Sequence, residues 1–181
     1  MPRGREGQVK PWMTGADVLT ALRIPLAVVF PFLRHPVEQL GAVAVAAASD
    51  FFDGVLARRF GSSRAGALLD PVADKLFMVA AFLTVARWGM LHPLEIVGVL
   101  TRDAVAVLGF LGTWLLRRPV ALPARAGGKA VTVGQILTLV AAIAGSSLVR
   151  PLAWATAAIG LYAIWDYGRA VAHARARANG E

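Results

Sequence analysis

Cysteine is absent from the 181 residues, which excludes disulfide frameworks, thiolate metal sites and cysteine nucleophiles. Histidine occurs three times, at His35, His92 and His173. All three stand isolated near the ends of apolar stretches or in the tail, so no histidine cluster is available to a zinc ion. Charge is scarce as well: 17% of residues are charged, against about 25% in soluble domains. Hydrophobic residues reach 57%, against roughly 45–50% there, and the mean hydropathy is +0.60. Such a composition excludes a disordered chain and a water-soluble enzyme. The fold class it predicts is an all-α integral membrane protein.

What charge there is leans positive. Nineteen Lys and Arg stand against 11 Asp and Glu, a net charge of +8. In so apolar a chain, basic loops that hold a membrane topology beside anionic lipid explain this excess, and nucleic acid is not an expected partner.

A helix needs about 20 apolar residues to cross a bilayer, and six stretches qualify. They run over residues 16–33, 37–57, 65–86, 93–116, 130–149 and 151–171. The first carries Asp17, Arg23, Pro25 and Pro31, and lacks the small-residue cleavage site of a signal peptide. Residues 122–129, with Gly127, Gly128 and Arg125, read as a loop. The whole chain reads as one membrane domain over 1–181, with a short basic segment over 1–13 and a polar tail over 172–181. Alternating the six spans puts thirteen basic residues on the side of the N-terminus and three, Arg34, Arg87 and Arg150, on the other. That asymmetry predicts a cytoplasmic membrane protein with both termini cytoplasmic.

Four aspartates crowd into 25 positions: Asp50, Asp53, Asp70 and Asp74. Spacings of three and four put each pair on one helix face. A glycine stop at Gly61 and a serine cap at Ser62 or Ser63 predict a tight turn that makes the two helices antiparallel neighbours. Four carboxylates gathered in a low dielectric repel, and divalent metal relieves that cost. All-oxygen ligation favours Mg²⁺, Mn²⁺ or Ca²⁺. Gly54 next to Asp53 admits a ligand closely, and Arg58 one turn on has the geometry to meet a phosphate. Two-metal carboxylate sites with a neighbouring arginine suit phosphoryl transfer. The plainer reading makes these aspartates helix-end residues, with Lys75 neutralising Asp74. Two other classes compete: a small cation transporter and a lipid-binding scaffold. A cation pathway gains nothing from Arg58, and a scaffold has no need of Asp74.

Asp50-x-x-Asp53-Gly54-x-x-Ala57-Arg58 followed by Gly66-x-x-x-Asp70-x-x-x-Asp74 resembles the signature of the CDP-alcohol phosphatidyltransferases. Seven residues separate Arg58 from Gly66, where that family usually has eight. The resemblance implies a six-helix membrane enzyme, usually a homodimer, whose site opens to the cytoplasm and which displaces CMP from a CDP-linked lipid with an alcohol. It implies that Asp50, Asp53, Asp70 and Asp74 hold a pair of Mg²⁺ or Mn²⁺ ions, and that Asp74 also takes the proton of the attacking hydroxyl. Thr20, Gly54, Ala57, Arg58, Ser63 and Gly66 fall at positions that contact the CDP-lipid. Asp17, Thr20 and Arg23 look like the family's first-helix Asn-x-x-Thr-x-x-Arg, with aspartate in place of asparagine.

Leu69 through Lys75 is most similar to the phosphatidylglycerophosphate synthase branch, as are Thr101-Arg102-Asp103 and Gly128-Lys129 with Thr132. That branch usually has a second lysine where this chain has Val131. The resemblance implies CDP-diacylglycerol as donor and glycerol 3-phosphate as acceptor, with inositol phosphate or serine as the alternatives. Arg102, Lys129 and Thr132 are the expected acceptor-phosphate residues. Arg102 and Lys129 are expected to face the bundle interior, and Asp103, about 100° away from Arg102 on a helix, is a poorly placed partner for it.

Overall fold

The computed structural model describes the backbone of residues 15–60, 64–115 and 126–178, and within these the side-chain surroundings of 20–56, 72–109, 111–112 and 127–169. The described residues form six α-helices and no strand: α1 (Gly15–Val29), α2 (Pro36–Phe60), α3 (Arg64–Arg87), α4 (Pro93–Leu115), α5 (Ala126–Ile143) and α6 (Val149–Ala178).

Local chemistry sets most of the ends. A one-turn 3-10 helix, Phe30–Phe32, follows α1 at Pro31, and Leu33 then leaves in an extended conformation; proline has no N–H to continue the α-helical ladder. Pro36 and Pro93 open α2 and α4 at the first helical position, where the missing donor is harmless. Glu95 caps α4 by accepting the backbone N–H of His92 at 2.7 Å. Gly145 (φ 65°) closes α5 in a Schellman turn: Ser146 N–H reaches Ala141 O at 2.9 Å, and Gly145 N–H reaches Ala142 O at 3.1 Å.

The helices pack as two groups of three. α1 lies against both α2 and α3, which touch each other only sparsely, and α6 lies against both α4 and α5. The expected antiparallel pairing of α2 with α3 is therefore mostly mediated by α1. Phe30, Phe77, Phe82, Val85, Val99 and Leu139 are fully buried where the groups meet, with Phe30 edge-on to Phe77 at 5.6 Å between centroids. α6 approaches its neighbours through small residues. A Cβ on Gly98 would stand 3.0 Å from the Ala157 methyl, and one on Gly134 only 2.5 Å from the Thr156 hydroxyl. At one end of the bundle, buried Glu95 ties α4 to α6 through Arg150 Nε at 2.9 Å.

Helix number and order follow the sequence expectation, with two differences. α5 begins at Ala126 and ends at Ile143, whereas the span was expected over 130–149. Gly127 and Gly128 lie in the first turn of that helix, where neighbouring side chains leave no room for a Cβ: the Ala163 methyl would stand 3.0 Å from the one and Arg102 Nη2 closer still to the other. Packing overrides the loop preference of glycine there. α6 continues to Ala178, through most of the segment expected as a polar tail.

Many large apolar side chains face outward, among them Phe32, Val37, Leu94, Val97, Leu108 and Leu161. By length and composition alone, one stretch among the described residues, Pro36–Leu56, is long and apolar enough to cross a membrane.

Candidate active site at the carboxylate cluster

The carboxylates lie toward the end of the bundle opposite the α1–α2, α3–α4 and α5–α6 turns. α2 brings Asp50 and Asp53 there from its second half, and α3 brings Asp74 from its first half.

The two α2 aspartates share a face and one cation. Arg23 of α1 is buried, at 1% exposure. Its Nη1 lies 3.4 Å from Asp50 Oδ1, its Nη2 is ion-paired with Asp53 Oδ2, and its Nε donates to Ser49 Oγ at 3.2 Å. Thr20, one turn earlier, donates its hydroxyl to the same Asp53 oxygen at 3.3 Å. Asp53 is thus buried and held from α1, while the Asp50 side chain is 49% exposed. Gly54 is half-buried beside it.

Asp50 of α2, Asp74 of α3 and Thr132 of α5 line one cavity of about 40 Å³, whose remaining wall is apolar and includes Ala46, Phe77 and Ile136. Two hard oxygen donors from different helices thus face a space of water-molecule scale. Thr132 sits one helical turn past Gly128 and donates to its carbonyl at 3.3 Å. A larger cavity, about 460 Å³, opens at the other end of the bundle beside Arg34, Gln39 and Trp88, and no carboxylate lines it. Chemistry therefore points to the smaller one.

A second polar cluster adjoins the first. Lys75 Nζ contacts Asp74 Oδ2 at 2.7 Å and Asp103 Oδ1 at 3.0 Å. Asp103, buried on α4, also accepts from Arg102 Nη1 at 3.1 Å and from Gln135 Nε2 of α5 at 2.6 Å. Arg102 does pair with its neighbour in sequence, because its long side chain folds back over α5. Lys129, expected to face the bundle interior, is exposed instead: one residue on from Gly128, it is turned about 100° from the face that meets Arg102.

Asp70 lies one turn before Asp74 on α3, and Ala57 and Arg58 extend α2 beyond Gly54. The side chains of Asp70, Ala57, Arg58 and Gly66, and Ser63 altogether, lie outside the described residues. Among the described residues, no three acidic or histidine side chains come together as a metal cage. The donors that face the cavity are Asp50 and Asp74.

Sequence reasoning gave Arg23 and Asp103 no role in the site beyond their motifs, named Lys75 only as a neutralising partner of Asp74, and missed Gln135. The signal available was burial of charge: Arg23, Lys75 and Arg102 fall inside apolar stretches, where an ionisable group calls for a named partner.

A family model, CDP-alcohol phosphatidyltransferase, matches residues 13–164. The chain belongs to the CDP-alcohol phosphatidyltransferase family. The matched region runs from the residues just before α1 into α6, so it contains every residue of both polar clusters. The chain is similar to a Mycobacterium tuberculosis protein named "Putative cardiolipin synthase", 31% identical over 167 residues that cover 86% of this chain and 79% of that one. It is also similar to a Yersinia pestis CDP-diacylglycerol--glycerol-3-phosphate 3-phosphatidyltransferase, 42% identical over 77 residues that cover 42% of each chain. No solved structure matches.

Proposed function

We propose that this CDP-alcohol phosphatidyltransferase moves the phosphatidyl group of CDP-diacylglycerol onto glycerol 3-phosphate. The acceptor hydroxyl oxygen bonds to the phosphatidyl phosphorus, the bond from that phosphorus to the CMP oxygen breaks, and CMP leaves. The hydroxyl proton passes to the Asp74 carboxylate. The observation that carries this reading is the shared cavity: Asp50, Asp74 and the acceptor-side Thr132 line one space. On the donor side, Thr20, Gly54, Ala57, Arg58, Ser63 and Gly66 are the contacts for the cytidine diphosphate.

The residues fit a hard divalent ion. Asp50 and Asp74 offer only oxygen, from two helices, across a space of the right scale, which matches Mg²⁺ or Mn²⁺ better than a softer ion. Asp50, Asp53, Asp70 and Asp74 would hold two such ions, which when bound would neutralise charge on the transferring phosphate.

The outward apolar side chains on several helices support a chain embedded in a bilayer; we infer in addition that all six helices span it, that the protein is a homodimer in the cytoplasmic membrane, and that the excess of basic residues places its site on the cytoplasmic side. Both termini then lie in the cytoplasm. The chain has no native cysteine, so Arg3→Cys and Arg177→Cys variants can be probed in intact cells. Neither should react with an impermeant maleimide until the membrane is opened. Labelling of either from outside would contradict the orientation.

The test of the activity is an acceptor screen with labelled CDP-diacylglycerol and purified protein. CMP release should require both Mg²⁺ and glycerol 3-phosphate, and should stop in excess chelator. Full turnover in chelator would remove metal from the reading, and efficient use of serine or inositol, which lack phosphate, would overturn the acceptor. A second reading keeps the donor and changes the acceptor. A relative that covers 86% of this chain is named "Putative cardiolipin synthase", so phosphatidylglycerol belongs in the screen beside inositol phosphate.

A further inference from the structure

Asp103 is an unusual carboxylate, buried to 4% exposure and in contact with three side chains from three helices. Its Oδ1 is shared by Lys75 of α3 at 3.0 Å and Arg102 of α4 at 3.1 Å, and its Oδ2 accepts from Gln135 of α5 at 2.6 Å. Gln135 is itself fixed. Its Nε2 also donates to the Val99 carbonyl at 3.1 Å, so turning the amide over would set oxygen against oxygen at both contacts. A buried, fully engaged carboxylate has one position available to it.

That fixed point joins two groups of different use. On one side Lys75 continues to Asp74 Oδ2 at 2.7 Å, at the cavity it shares with Asp50 and Thr132. On the other, Asp103 engages Nη1 of Arg102, whose Nη2 lies where a Cβ on Gly128 would come within 2.4 Å. The guanidinium is therefore seated against the backbone of the first turn of α5, and only glycine at 128 leaves it room. Arginine has five N–H donors in a rigid fork, so anchoring through Nη1 orients the remaining donors as a unit.

We propose that Asp103 is the positioning residue of the acceptor subsite. It holds Arg102 against the first turn of α5 and engages the Lys75 that contacts Asp74, and so fixes the guanidinium that meets the phosphate of the acceptor. This rests on the phosphatidyl-transfer reading above and adds what decides the acceptor. Asp103 touches neither substrate; it acts through Arg102 and Lys75.

The test compares steady-state constants of purified wild type, Asp103→Asn and Gly128→Ala, with glycerol 3-phosphate varied against saturating CDP-diacylglycerol and the reverse. Asp103→Asn removes the charge that holds Arg102. Gly128→Ala leaves every charge in place and pushes only the flexible end of Arg102, so it tests the same seat with little demand on folding. Both variants should raise the KM for glycerol 3-phosphate by about tenfold or more, the scale of one charge-assisted hydrogen bond. The KM for CDP-diacylglycerol should change less than about twofold in each. Inhibition by inorganic phosphate should weaken in parallel with the acceptor KM. Asp103→Glu, which restores the charge on a longer arm, should recover part of the loss. An unchanged acceptor KM in Gly128→Ala, or equal damage to both substrates in both variants, overturns the assignment while leaving the transfer reading intact. A wild type that turns over CDP-diacylglycerol but ignores glycerol 3-phosphate overturns the reading and the assignment together.

Discussion

Asp74→Asn is expected to lower kcat by about 10²–10⁴-fold, the usual contribution of a general base, with little change in the KM for CDP-diacylglycerol. Three features converge on this residue. It borders the cavity shared with Asp50 and Thr132, it keeps partial exposure toward it, and Lys75 Nζ sits 2.7 Å from one of its oxygens. The amide of asparagine keeps the shape and an oxygen donor but cannot take the proton of the attacking hydroxyl. Steady-state CMP release by the purified variant is the measurement. Turnover within a few-fold of wild type would remove Asp74 from the role of base and leave it as an anchor for Lys75.

The second large effect is on stability and belongs to Arg23. Its guanidinium is buried between Asp50, Asp53 and Ser49. Arg23→Met keeps much of the volume but leaves Asp53 buried without its cation. Removing one partner of a buried ion pair costs about 3–5 kcal/mol, which should appear as a marked drop in the thermal unfolding midpoint in detergent. Adding Asp53→Asn to Arg23→Met should recover part of that drop, since the uncompensated charge is then gone. If Arg23→Met unfolds at the wild-type temperature, the pair does not carry the stability of this corner of the bundle. The arrangement also revises the electrostatic argument from sequence. Divalent metal was the charge balance expected for the four carboxylates, with Lys75 against Asp74 in the plainer reading; the structure shows that Lys75 pair and adds Arg23 against Asp50 and Asp53.

The legible part of this protein was the part encoded locally. The six helices of the described residues fall, in order, where the sequence carries six largely apolar stretches. The carboxylate motif is a matter of spacing, since residues three or four apart share a helix face whatever surrounds them. Asp50 with Asp53, and Asp70 with Asp74, could therefore be paired on paper, and the family that the motif resembles is the one to which the chain belongs.

Contacts between helices distant in sequence were not legible, because helical period says which residues share a face and not which helix that face meets. Only the tertiary structure set α1 between α2 and α3, and so brought Thr20 and Arg23 onto Asp53, thirty or more positions away. It seated Arg102 on Gly128 and turned a predicted glycine loop into the first turn of α5. It also gave Asp103, a poor partner for Arg102 by helical angle, the central place between Lys75, Arg102 and Gln135. A long arginine side chain can fold back through 100°, and a buried carboxylate needs every donor within reach.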